Sequence, residues 1–295
     1  MKTFVIIVTY NPLKWIEKCF SSLENSSIAL NVIVIDNCSN DGSQEFIKNN
    51  YPKITFIQNN ENLGFGKANN IGIEIAYKQN ADYFFLLNQD VWLENDTIEN
   101  LIKISQENPE FGIISPVHFN GLGTQLDLGF KNASKINQDQ LTKNELIEVP
   151  FVNAAIWLIT KNCIEKVGGF SPVFFHYCED NNYVARLKFH NLKLGVVTNL
   201  KGFHDREFRV ENEFYKDNYQ ILERDLIMTL SDPNLNLSRF KIFVATIISF
   251  IKNIFLKKDN QINKNYLKAI FNINYKEIIK NRQISKVQPL AFLDL

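Results

Sequence analysis

The sequence predicts an α/β fold with a mostly parallel central sheet, followed by a helical C-terminal extension. Two short β-branched runs, FVIIV at 4–8 and VIVI at 32–35, are typical of parallel strands covered on both faces. Helix-start residues follow each run, and the alternation of strand and helix continues to about residue 90. Residues 211–295 instead have the pattern of helices rich in Lys and Asn.

Local signals justify the first elements one by one. Asn11 is a predicted N-cap with Pro12 at the first helical position, so a helix is expected from there through Leu23. Asp41-Gly42 forms a turn, after which a short helix ends near Asn50. The same reasoning predicts, in order, a strand at 54–58, a helix at 65–78, a strand at 83–87, a helix at 96–106 and a strand at 111–115.

The regular alternation weakens in the second half. Residues 119–147 are polar and rich in Asn and Gln, which predicts an inserted loop region. Apolar patterning resumes at 149–160, and Gly168-Gly169 separates it from an aromatic and acidic segment that opens a helix ending near His190. The last predicted strand of the sheet is 194–198.

The composition excludes several classes of protein. The chain has 32 Lys and Arg against 32 Asp and Glu, so no overall positive field favours binding to nucleic acid. Its four cysteines show no zinc-site spacing and are too few for a disulfide framework, which favours reduced thiols in a cytoplasmic protein. The apolar run at 4–8 is too short for a signal peptide.

Polar clusters follow three of the predicted strands. In open, mostly parallel sheets, ligands bind beyond the carboxyl ends of the strands. The residues expected at this edge are Thr9, Tyr10, Asn11, Asp36, Asn37, Asn88, Gln89 and Asp90.

Asp90 carries the strongest single signal, because it follows the buried strand in FFLLNQD at the sheet edge. A carboxylate there suits Mg²⁺ or Mn²⁺, which prefer oxygen ligands and share their shell with substrate phosphates. The alternative is an Asp that starts the next turn. Asp36 is a second candidate: it can accept a hydrogen bond from the imide N–H of a pyrimidine, or cap the next helix.

Tyr10 and Lys67 are weaker candidates for ligand contacts. Thr9-Tyr10 offers a backbone contact and an aromatic face for stacking on a base, although an ordinary half-buried ring is equally consistent. Lys67 follows Gly64 and Gly66 at a helix start, where backbone and cation can approach a diphosphate. The spacing is not GxGxxG, so this pattern alone is a weak signal.

Glu179-Asp180 is the candidate catalytic pair. It lies beside aromatic residues at a helix start, where one carboxylate can keep a pKa suited to taking a proton from a hydroxyl. Acidic residues are also common in a first helical turn because they complement the helix dipole. His204 follows the last predicted strand by several residues, where it can complete a metal shell or simply lie on the surface.

Taken in order, these segments resemble the family 2 glycosyltransferases with the GT-A fold, in particular bacterial rhamnosyltransferase-like members. The motifs are VTYN, IDNCSNDGS, NENLGFGKANN, LLNQD, VGGF, the ED pair and a late His, over about residues 3–206. The resemblance implies a Rossmann-like GT-A catalytic domain at 1–210, with a nucleotide-sugar half at 1–118 and an acceptor half at 119–210. Residues 211–295 would form a C-terminal helical extension.

The resemblance also implies roles for individual residues. Asp180 would be the catalytic base, with Glu179 beside it. A divalent cation, Mn²⁺ or Mg²⁺, would be held by Asp90 and His204. The residues implied in donor binding are Thr9, Tyr10, Asn11, Asp36, Asn37, Lys67, Asn88 and Gln89.

Three positions depart from the family pattern. Asn88 replaces the first Asp of the metal motif, Gln89 replaces the Pro of the usual NPD triplet, and Asn182 replaces a third acidic residue. These departures keep open a non-catalytic sugar-nucleotide binding or scaffold subunit with the same fold. A nucleotidyltransferase is a further alternative, but it would need a Gly-rich basic loop after the first strand, where this chain has VTYNP.

The function implied by the resemblance is metal-dependent transfer of a sugar, with inversion, from a dTDP- or UDP-sugar to a glycan hydroxyl. Rhamnose is a candidate sugar, and a lipid-linked glycan is a candidate acceptor. The expected product is a bacterial surface polysaccharide such as O-antigen or capsule.

Residues 239–258 form an apolar, basic segment with two alternative roles. Its longest charge-free stretch, 242–251, is shorter than the roughly 20 residues that span a bilayer. As a helix it has a broad apolar face flanked by Lys241 and Lys252. This face suits either a peripheral contact with the inner face of the plasma membrane or protein packing, including a homodimer interface.

Overall fold

The computed structural model describes residues 1–136, 140–142, 145–206, 218–256, 258 and 260–295. The strands are β1 Thr3–Thr9, β2 Asn31–Asp36, β3 Thr55–Gln58, β4 Tyr83–Asn88, β5 Val91–Leu93, β6 Phe111–Asn120, β7 Leu146–Glu148, β8 Ile156–Thr160 and β9 Lys193–His204. The helices are α1 Ile16–Glu24, α2 Ser43–Asn50, α3 Phe65–Lys78, α4 Thr97–Glu107, α5 Leu128–Ser134, α6 Lys161–Val167, α7 Glu179–Phe189, α8 Asn218–Ser231, α9 Arg239–Phe255, α10 Gln261–Asn272 and α11 Tyr275–Val287.

The described strands form one sheet in the order β3-β2-β1-β4-β8-β6-β9-β5, and β7 pairs with β9. The strands β1 to β4 are mutually parallel, and β6 and β9 run in the same direction as they do. The strands β5, β7 and β8 run in the opposite direction. The mostly parallel α/β sheet predicted from the sequence is therefore confirmed.

Helices cover both faces of the sheet. Successive residues of β1 alternate between two apolar clusters, with Phe4 and Ile6 on one face and Val5 and Ile7 on the other, as the period of two in a strand requires. The first face packs against α3, α6 and α7, and the second against α1, α2 and α4. Gly72 lets α3 approach closely, because a Cβ there would lie 2.4 Å from the Ile6 side chain.

The first helix begins about one turn later than predicted, at Ile16 rather than Pro12. Asn11 adopts a left-handed backbone with φ of 50°, and its N–H donates to Oγ of Ser39 at 2.9 Å. The Trp15 N–H closes a turn onto the Pro12 carbonyl at 2.8 Å. Contacts with the loop after β2 therefore use the residue that was expected to cap the helix.

Two strands are longer than the sequence predicts. The strand β6 continues to Asn120 and β9 to His204, so His204 ends a strand instead of following it by several residues. The β6–β9 ladder has a register irregularity between Pro116 and Val117. Since proline has no N–H for the ladder, the strand pattern breaks there although the pairing resumes beyond it.

The segment 119–147 is not an uninterrupted loop. It contains the end of β6, helix α5 and most of β7. Asp127 caps α5, because its side chain accepts a hydrogen bond from the Phe130 N–H at 2.7 Å. Residues 137–139 and 143–144 of this segment lie outside the described residues.

The C-terminal helices pack on one another, and the chain end returns to the sheet domain. Apolar residues of α8, α10 and α11 form a third cluster. The Gly169 N–H donates to the carbonyl of Ala291 at 2.8 Å. Gly168 has φ of 80°, and a Cβ there would lie 2.0 Å from the Ala291 carbonyl oxygen, so this contact requires glycine. The predicted boundary between residues 210 and 211 falls outside the described residues.

Helix α9 leaves a row of large apolar side chains exposed. Phe240, Val244, Ile248, Ile251 and Phe255 recur at intervals of three or four residues, which places them on one side of the helix. Phe240 is 73% exposed and Phe255 81%. No helix in the described part of the chain is both long and apolar enough to cross a membrane.

Candidate active site

The carboxyl ends of β1, β2 and β4 lie side by side and bring most of the predicted donor-binding residues together. In the parallel ladders, Thr9 pairs with Asp36 and Val8 with Asn88. A cavity of about 320 Å³, here called the strand-end cavity, opens at this edge. Its lining includes Tyr10, Asn37, Asn62, Gly64, Asn88, Gln89, Asp90 and Phe175.

Asp36 is fully buried and holds the loop that follows β2. Its carboxylate accepts hydrogen bonds from Oγ1 of Thr9 at 2.9 Å and from Nε2 of Gln44 at 2.7 Å. Both the N–H and the hydroxyl of Ser39 donate to it as well. These four donors hold the loop after β2 against the end of β1, and the bond of Asp36 to a pyrimidine imide stays a prediction. Thr9 and Asp36 thus hold the loop that forms the wall of the cavity.

Asn37 and Asn11 also contact protein groups. Nδ2 of Asn37 donates to the Gly64 carbonyl at 3.2 Å, and its Oδ1 accepts from Nδ2 of Asn59 at 2.9 Å. Asn37 therefore ties the end of β2 to the start of α3 while still lining the cavity. Asn11 accepts from the Asn40 N–H at 2.9 Å, which joins the loops after β1 and β2.

Asp90 and His204 face each other at the ends of neighbouring strands. The strand β5, which Asp90 precedes, pairs antiparallel with the end of β9, with Val91 opposite His204. Nε2 of His204 lies 3.3 Å from Oδ1 of Asp90, and both side chains are 1% exposed. Neither ring nitrogen of His204 makes a hydrogen bond with a described residue. The sequence expectation that these two residues meet agrees with this geometry.

The Asp90–His204 pair fits a divalent cation as a partial ligand set. Adjacent ligands of an octahedral shell with bonds of about 2.1 Å lie about 3 Å apart, close to the separation observed here. The part of the chain that the structure describes contains no group of three or more His, Cys, Asp or Glu side chains placed to hold a metal. A cation bound here would therefore need further ligands besides this pair.

Glu179 and Asp180 begin α7 at a second cavity, of about 450 Å³, here called the α7 cavity. Tyr177 and Cys178 precede them with left-handed φ angles of 69° and 70°, which turn the chain sharply into the helix. Glu179 is 5% exposed, and its Oε2 has no hydrogen-bond partner among the described residues. The side chain of Asp180 accepts from the Asn181 N–H at 2.8 Å.

Burial raises the pKa of both carboxyl groups. For Glu179 the negative charge of Asp180 raises the pKa further. For Asp180, backbone hydrogen bonds and the charge of Arg206 lower the pKa and offset part of the burial effect. A carboxylate with a raised pKa is a stronger base, so Asp180 is suited to accepting a proton from a hydroxyl in the cavity.

The two cavities adjoin. Phe65, Asn88 and His176 line both of them. His204 lines the α7 cavity, whereas Asp90, its close neighbour, lines the strand-end cavity. The arrangement therefore has one compartment with a candidate metal pair at its edge and one compartment with a candidate base.

Lys67 is not brought into this group. It is exposed on α3 and lines a separate groove with Glu74, Pro172 and Phe292. The predicted approach of Lys67 to a diphosphate has no counterpart in the geometry of the two cavities. Lys67 lies on the side of α3 that faces the C-terminal residues Phe292 and Asp294.

Several residues of the α7 cavity have no signal in the sequence. Arg206 lines it and forms an ion pair with Asp127 at the start of α5. Arg224 of α8 also lines it and lies 5.5 Å from the centre of the Tyr177 ring. Neither arginine belongs to a recognisable motif, and each reaches the cavity only because distant segments fold together.

Comparison with protein-family models decides the family. Residues 4–168 match the model for Glycosyl transferase family 2. The chain belongs to this family. It is therefore a glycosyltransferase, and the predicted assignment is confirmed.

Three relatives of this family 2 glycosyltransferase are named as transferases of a hexose or of rhamnose. It is 23% identical over 225 residues to the low-salt glycan biosynthesis hexosyltransferase Agl10 of Haloferax volcanii, covering 74% of this chain and 71% of the relative. It is 24% identical to the N-acetylglucosaminyl-diphospho-decaprenol L-rhamnosyltransferase of Mycobacterium tuberculosis. That match covers 62% of this chain and 69% of the relative. The dTDP-rhamnosyl transferase RfbF of Shigella flexneri is 22% identical, with 68% of each chain covered.

Solved structures agree on the fold. The crystal structure of S. aureus TarS 1-349 in complex with UDP-GlcNAc matches with a TM-score of 0.58 at 14% identity, over 97% of this family 2 chain and 84% of the other. A longer TarS structure matches with a TM-score of 0.55 at 16% identity, and this chain spans 41% of it. The likeness shows the GT-A fold, which confirms the predicted fold class.

Proposed function

We propose that this glycosyltransferase moves a sugar from a dTDP- or UDP-sugar to a hydroxyl of a glycan, with a divalent cation and with inversion at the anomeric carbon. One observation carries the proposal: the strand-end cavity with Asp90 adjoins the α7 cavity with Asp180, and His204 lies at their boundary. Donor and acceptor would occupy these two compartments. The transferred carbon would then lie where they meet.

The nucleoside side of the donor would lie at Tyr10, whose exposed ring lines the strand-end cavity with Asn37 and Gln89. Asp36 and Thr9 would act indirectly, by fixing the loop that forms the cavity wall. The diphosphate would lie toward Asn88 and Asp90. The names of two relatives, both rhamnosyltransferases, support rhamnose as the candidate sugar.

Family 2 enzymes generally use a divalent cation, and the Asp90–His204 pair is the candidate to hold it here. When bound, the cation would neutralise the charge that develops on the leaving nucleoside diphosphate. Asp180 would accept the proton of the acceptor hydroxyl while that oxygen bonds to the anomeric carbon and the carbon–diphosphate bond breaks. Base and leaving group belong to different cavities, which favours in-line displacement and inversion.

The acceptor would be a lipid-linked glycan of surface polysaccharide synthesis, such as O-antigen or capsule. The name of the mycobacterial relative specifies an acceptor attached through a diphosphate to decaprenol, which supports this class. The exposed apolar row of α9 supports it independently. From residue 233 to 258 the sequence has five basic residues, Arg239, Lys241, Lys252, Lys257 and Lys258, and no acidic one.

We infer that this face of α9 contacts an anionic lipid surface, on the inner face of the plasma membrane. A basic helix with an exposed apolar row binds such surfaces by burying the row among the headgroups. The charge pattern favours lipid over a second copy of the chain, because two copies would bring like charges together. The membrane test must therefore distinguish lipid binding from the homodimer that was predicted as an alternative.

The proposed function is tested by thermal shift and by turnover. UDP-, dTDP- and GDP-sugars are added with and without Mn²⁺ to the wild type and to Asp90→Ala. One donor class should stabilise the wild type in a Mn²⁺-dependent way, and Asp90→Ala should lose that dependence. Asp180→Asn should bind the same donor yet transfer or hydrolyse it about 10²- to 10⁴-fold more slowly.

Three results would count against the proposal. Stabilisation by no donor would remove the evidence for a sugar-nucleotide site. Unchanged turnover in Asp180→Asn would exclude its role as the base. Donor binding without any turnover in the wild type would instead favour a non-catalytic sugar-nucleotide binding or scaffold subunit.

A further inference from the structure

Gln89 stands where the family pattern has Pro, and its side chain contacts the backbone of Tyr10 twice. The Tyr10 N–H donates to Oε1 of Gln89 at 2.7 Å, and Nε2 of Gln89 donates to the Tyr10 carbonyl at 3.1 Å. A proline side chain forms neither bond because its ring has no polar atom to offer. The contact therefore depends on the amide side chain present in this protein.

These two bonds continue the sheet at the point where its backbone pairing ends. The last paired residues of β1 and β4 are Val8 and Asn88, after which the chain turns toward β5. The Gln89 amide supplies Tyr10 with one acceptor and one donor, as the backbone of an adjacent strand would. The first residue beyond β1 is thus held to the end of β4.

The loop after β2 holds the same segment from the other side. The Asn11 N–H donates to Oγ of Ser39, and the Asn40 N–H donates to Oδ1 of Asn11, both at 2.9 Å. Tyr10 therefore lies between two attachment points. Gln89 provides the attachment on the side of β4. The next residue in the chain is Asp90, the candidate metal ligand.

The ring of Tyr10 is the group that this attachment places. It is 50% exposed and lines the strand-end cavity. A ring that stacks on a nucleobase loses less conformational entropy on binding when its backbone is already fixed. The two hydrogen bonds from Gln89 supply that fixation.

We propose that Gln89 is a positioning residue for the nucleobase, acting through the backbone of Tyr10 rather than by touching the donor. The proposal rests on the proposed function, because it takes the strand-end cavity as the nucleoside diphosphate site. This positioning role requires both a hydrogen-bond acceptor and a donor on side chain 89, whereas a general packing role requires neither. The substitution Gln89→Glu keeps the acceptor for the Tyr10 N–H but loses the donor for the Tyr10 carbonyl.

Calorimetric titration of the full chain with UDP, dTDP and GDP in the presence of Mn²⁺ tests this role. For a nucleotide that the wild type binds, Gln89→Ala and Gln89→Glu should each bind about tenfold more weakly. Gln79→Ala, at an exposed glutamine outside the cavity, should bind like the wild type. In a Tyr10→Ala background, Gln89→Ala should cause no further loss, because its effect passes through the ring.

A loss of equal size in both backgrounds would show that Gln89 contacts the nucleotide itself and would overturn the proposal. Unchanged affinity in Gln89→Ala would overturn it too. Hydrogen exchange of the Tyr10 amide measures the contact without nucleotide. It should be faster in Gln89→Ala and unchanged in Gln79→Ala. A wild type that binds none of the nucleotides would overturn the proposed function, and with it the role in base binding.

Discussion

Nε of Arg186 donates a hydrogen bond to Oδ1 of Asn182 at 3.0 Å, one turn earlier on α7, and both side chains are buried. The other guanidinium nitrogens donate to the carbonyls of Val167 at 2.7 Å and Gly169 at 2.6 Å. Nδ2 of Asn182 continues the network to Oγ of Ser231 on α8 at 3.0 Å. The helix that carries the candidate base in its first turn is therefore anchored to α6 and to α8 through one residue pair.

Arg186→Ala should destabilise the fold strongly, by about 3–5 kcal/mol in the free energy of unfolding. The substitution leaves a cavity and removes the donors for two buried carbonyls and for Asn182. Denaturant unfolding measures the loss. Lys188→Ala, at an exposed position of the same helix, should stay within about 0.5 kcal/mol of the wild type. Similar losses in the two variants would contradict the anchoring role.

Glu179→Gln should stabilise the protein at high pH and leave it unchanged at low pH. Burial, together with the charge of Asp180, raises the pKa of Glu179 in the folded state above its value in the unfolded chain. Stability is then fully present below the unfolded pKa and is lost as the pH rises through the folded pKa. Glutamine cannot ionise, so the variant avoids that loss.

Thermal unfolding at about pH 4 and about pH 9 measures this difference. The melting temperature of Glu179→Gln should exceed that of the wild type only at the higher pH. Glu107→Gln, at an exposed position, controls for loss of a surface charge. A Glu179→Gln variant that is less stable than the wild type at the higher pH would show that the ionised carboxylate stabilises the fold.

His204→Ala should weaken activation by Mn²⁺ by at least about 10- to 100-fold. Loss of an outer-shell partner alone costs a metal site that much, and loss of a direct ligand should cost no less. Its ring lies 3.3 Å from Asp90, and neither ring nitrogen makes a hydrogen bond with a described residue. Titration of turnover with Mn²⁺ gives the measurement. His190→Ala, whose ring contacts the Ser285 carbonyl away from both cavities, is the matched control. Equal Mn²⁺ requirements in the two variants would exclude His204 as a ligand.

Glutamate substitutions at Ile248 and Ile251 together should abolish binding to vesicles that contain phosphatidylglycerol. Both side chains belong to the exposed apolar row of α9, and a buried charge opposes insertion among lipid headgroups. Flotation of the full chain measures the binding. Val287→Glu changes an equally exposed apolar residue on α11 and should float like the wild type. A wild type that ignores vesicles but dimerises in sedimentation, with dimerisation lost in the double variant, would assign the face to a second copy.

The order of strands and helices in the first half could be predicted because its signals are local. The β-branched runs and the glycine before α3 each specify an element within a few residues, and α3 spans the predicted range of 65–78. The convergence of strand ends then follows from the geometry of a parallel sheet. The extension of β9 to His204 could not be predicted, because it depends on pairing with β6 beyond Pro116.

The candidate site was predictable as a set of residues but not as a set of contacts. The contacts of Asp36 depend on Gln44 and Ser39 reaching back over a loop, and Lys67 lines a groove with C-terminal residues such as Phe292. Such details arise from side-chain packing between segments. Patterns of residue type along the chain do not record them.

Gly64→Ala should impair transfer far more than its backbone strain alone explains. Gly64 has φ of 79°, and a Cβ there would lie 2.0 Å from the carbonyl oxygen of Phe175, in the loop that leads to Glu179 and Asp180. The Gly64 carbonyl also accepts the hydrogen bond from Asn37. A methyl group would therefore push apart the segments that join the two cavities.

Gly42→Ala separates strain from collision, because Gly42 has φ of 85° and a Cβ there meets nothing within 4 Å. Gly42→Ala should lose about 1 kcal/mol of stability from the left-handed backbone. Gly64 has φ of 79° and ψ of 174°, a region essentially restricted to glycine, so Gly64→Ala should lose about 1–3 kcal/mol from strain. Only Gly64→Ala should also lose about 10²-fold in turnover, since misplacing the reacting groups by an ångström costs that much. Turnover and denaturant unfolding of the two variants measure these losses. Equal turnover would mean that the Gly64–Phe175 contact does not set the distance between donor and base.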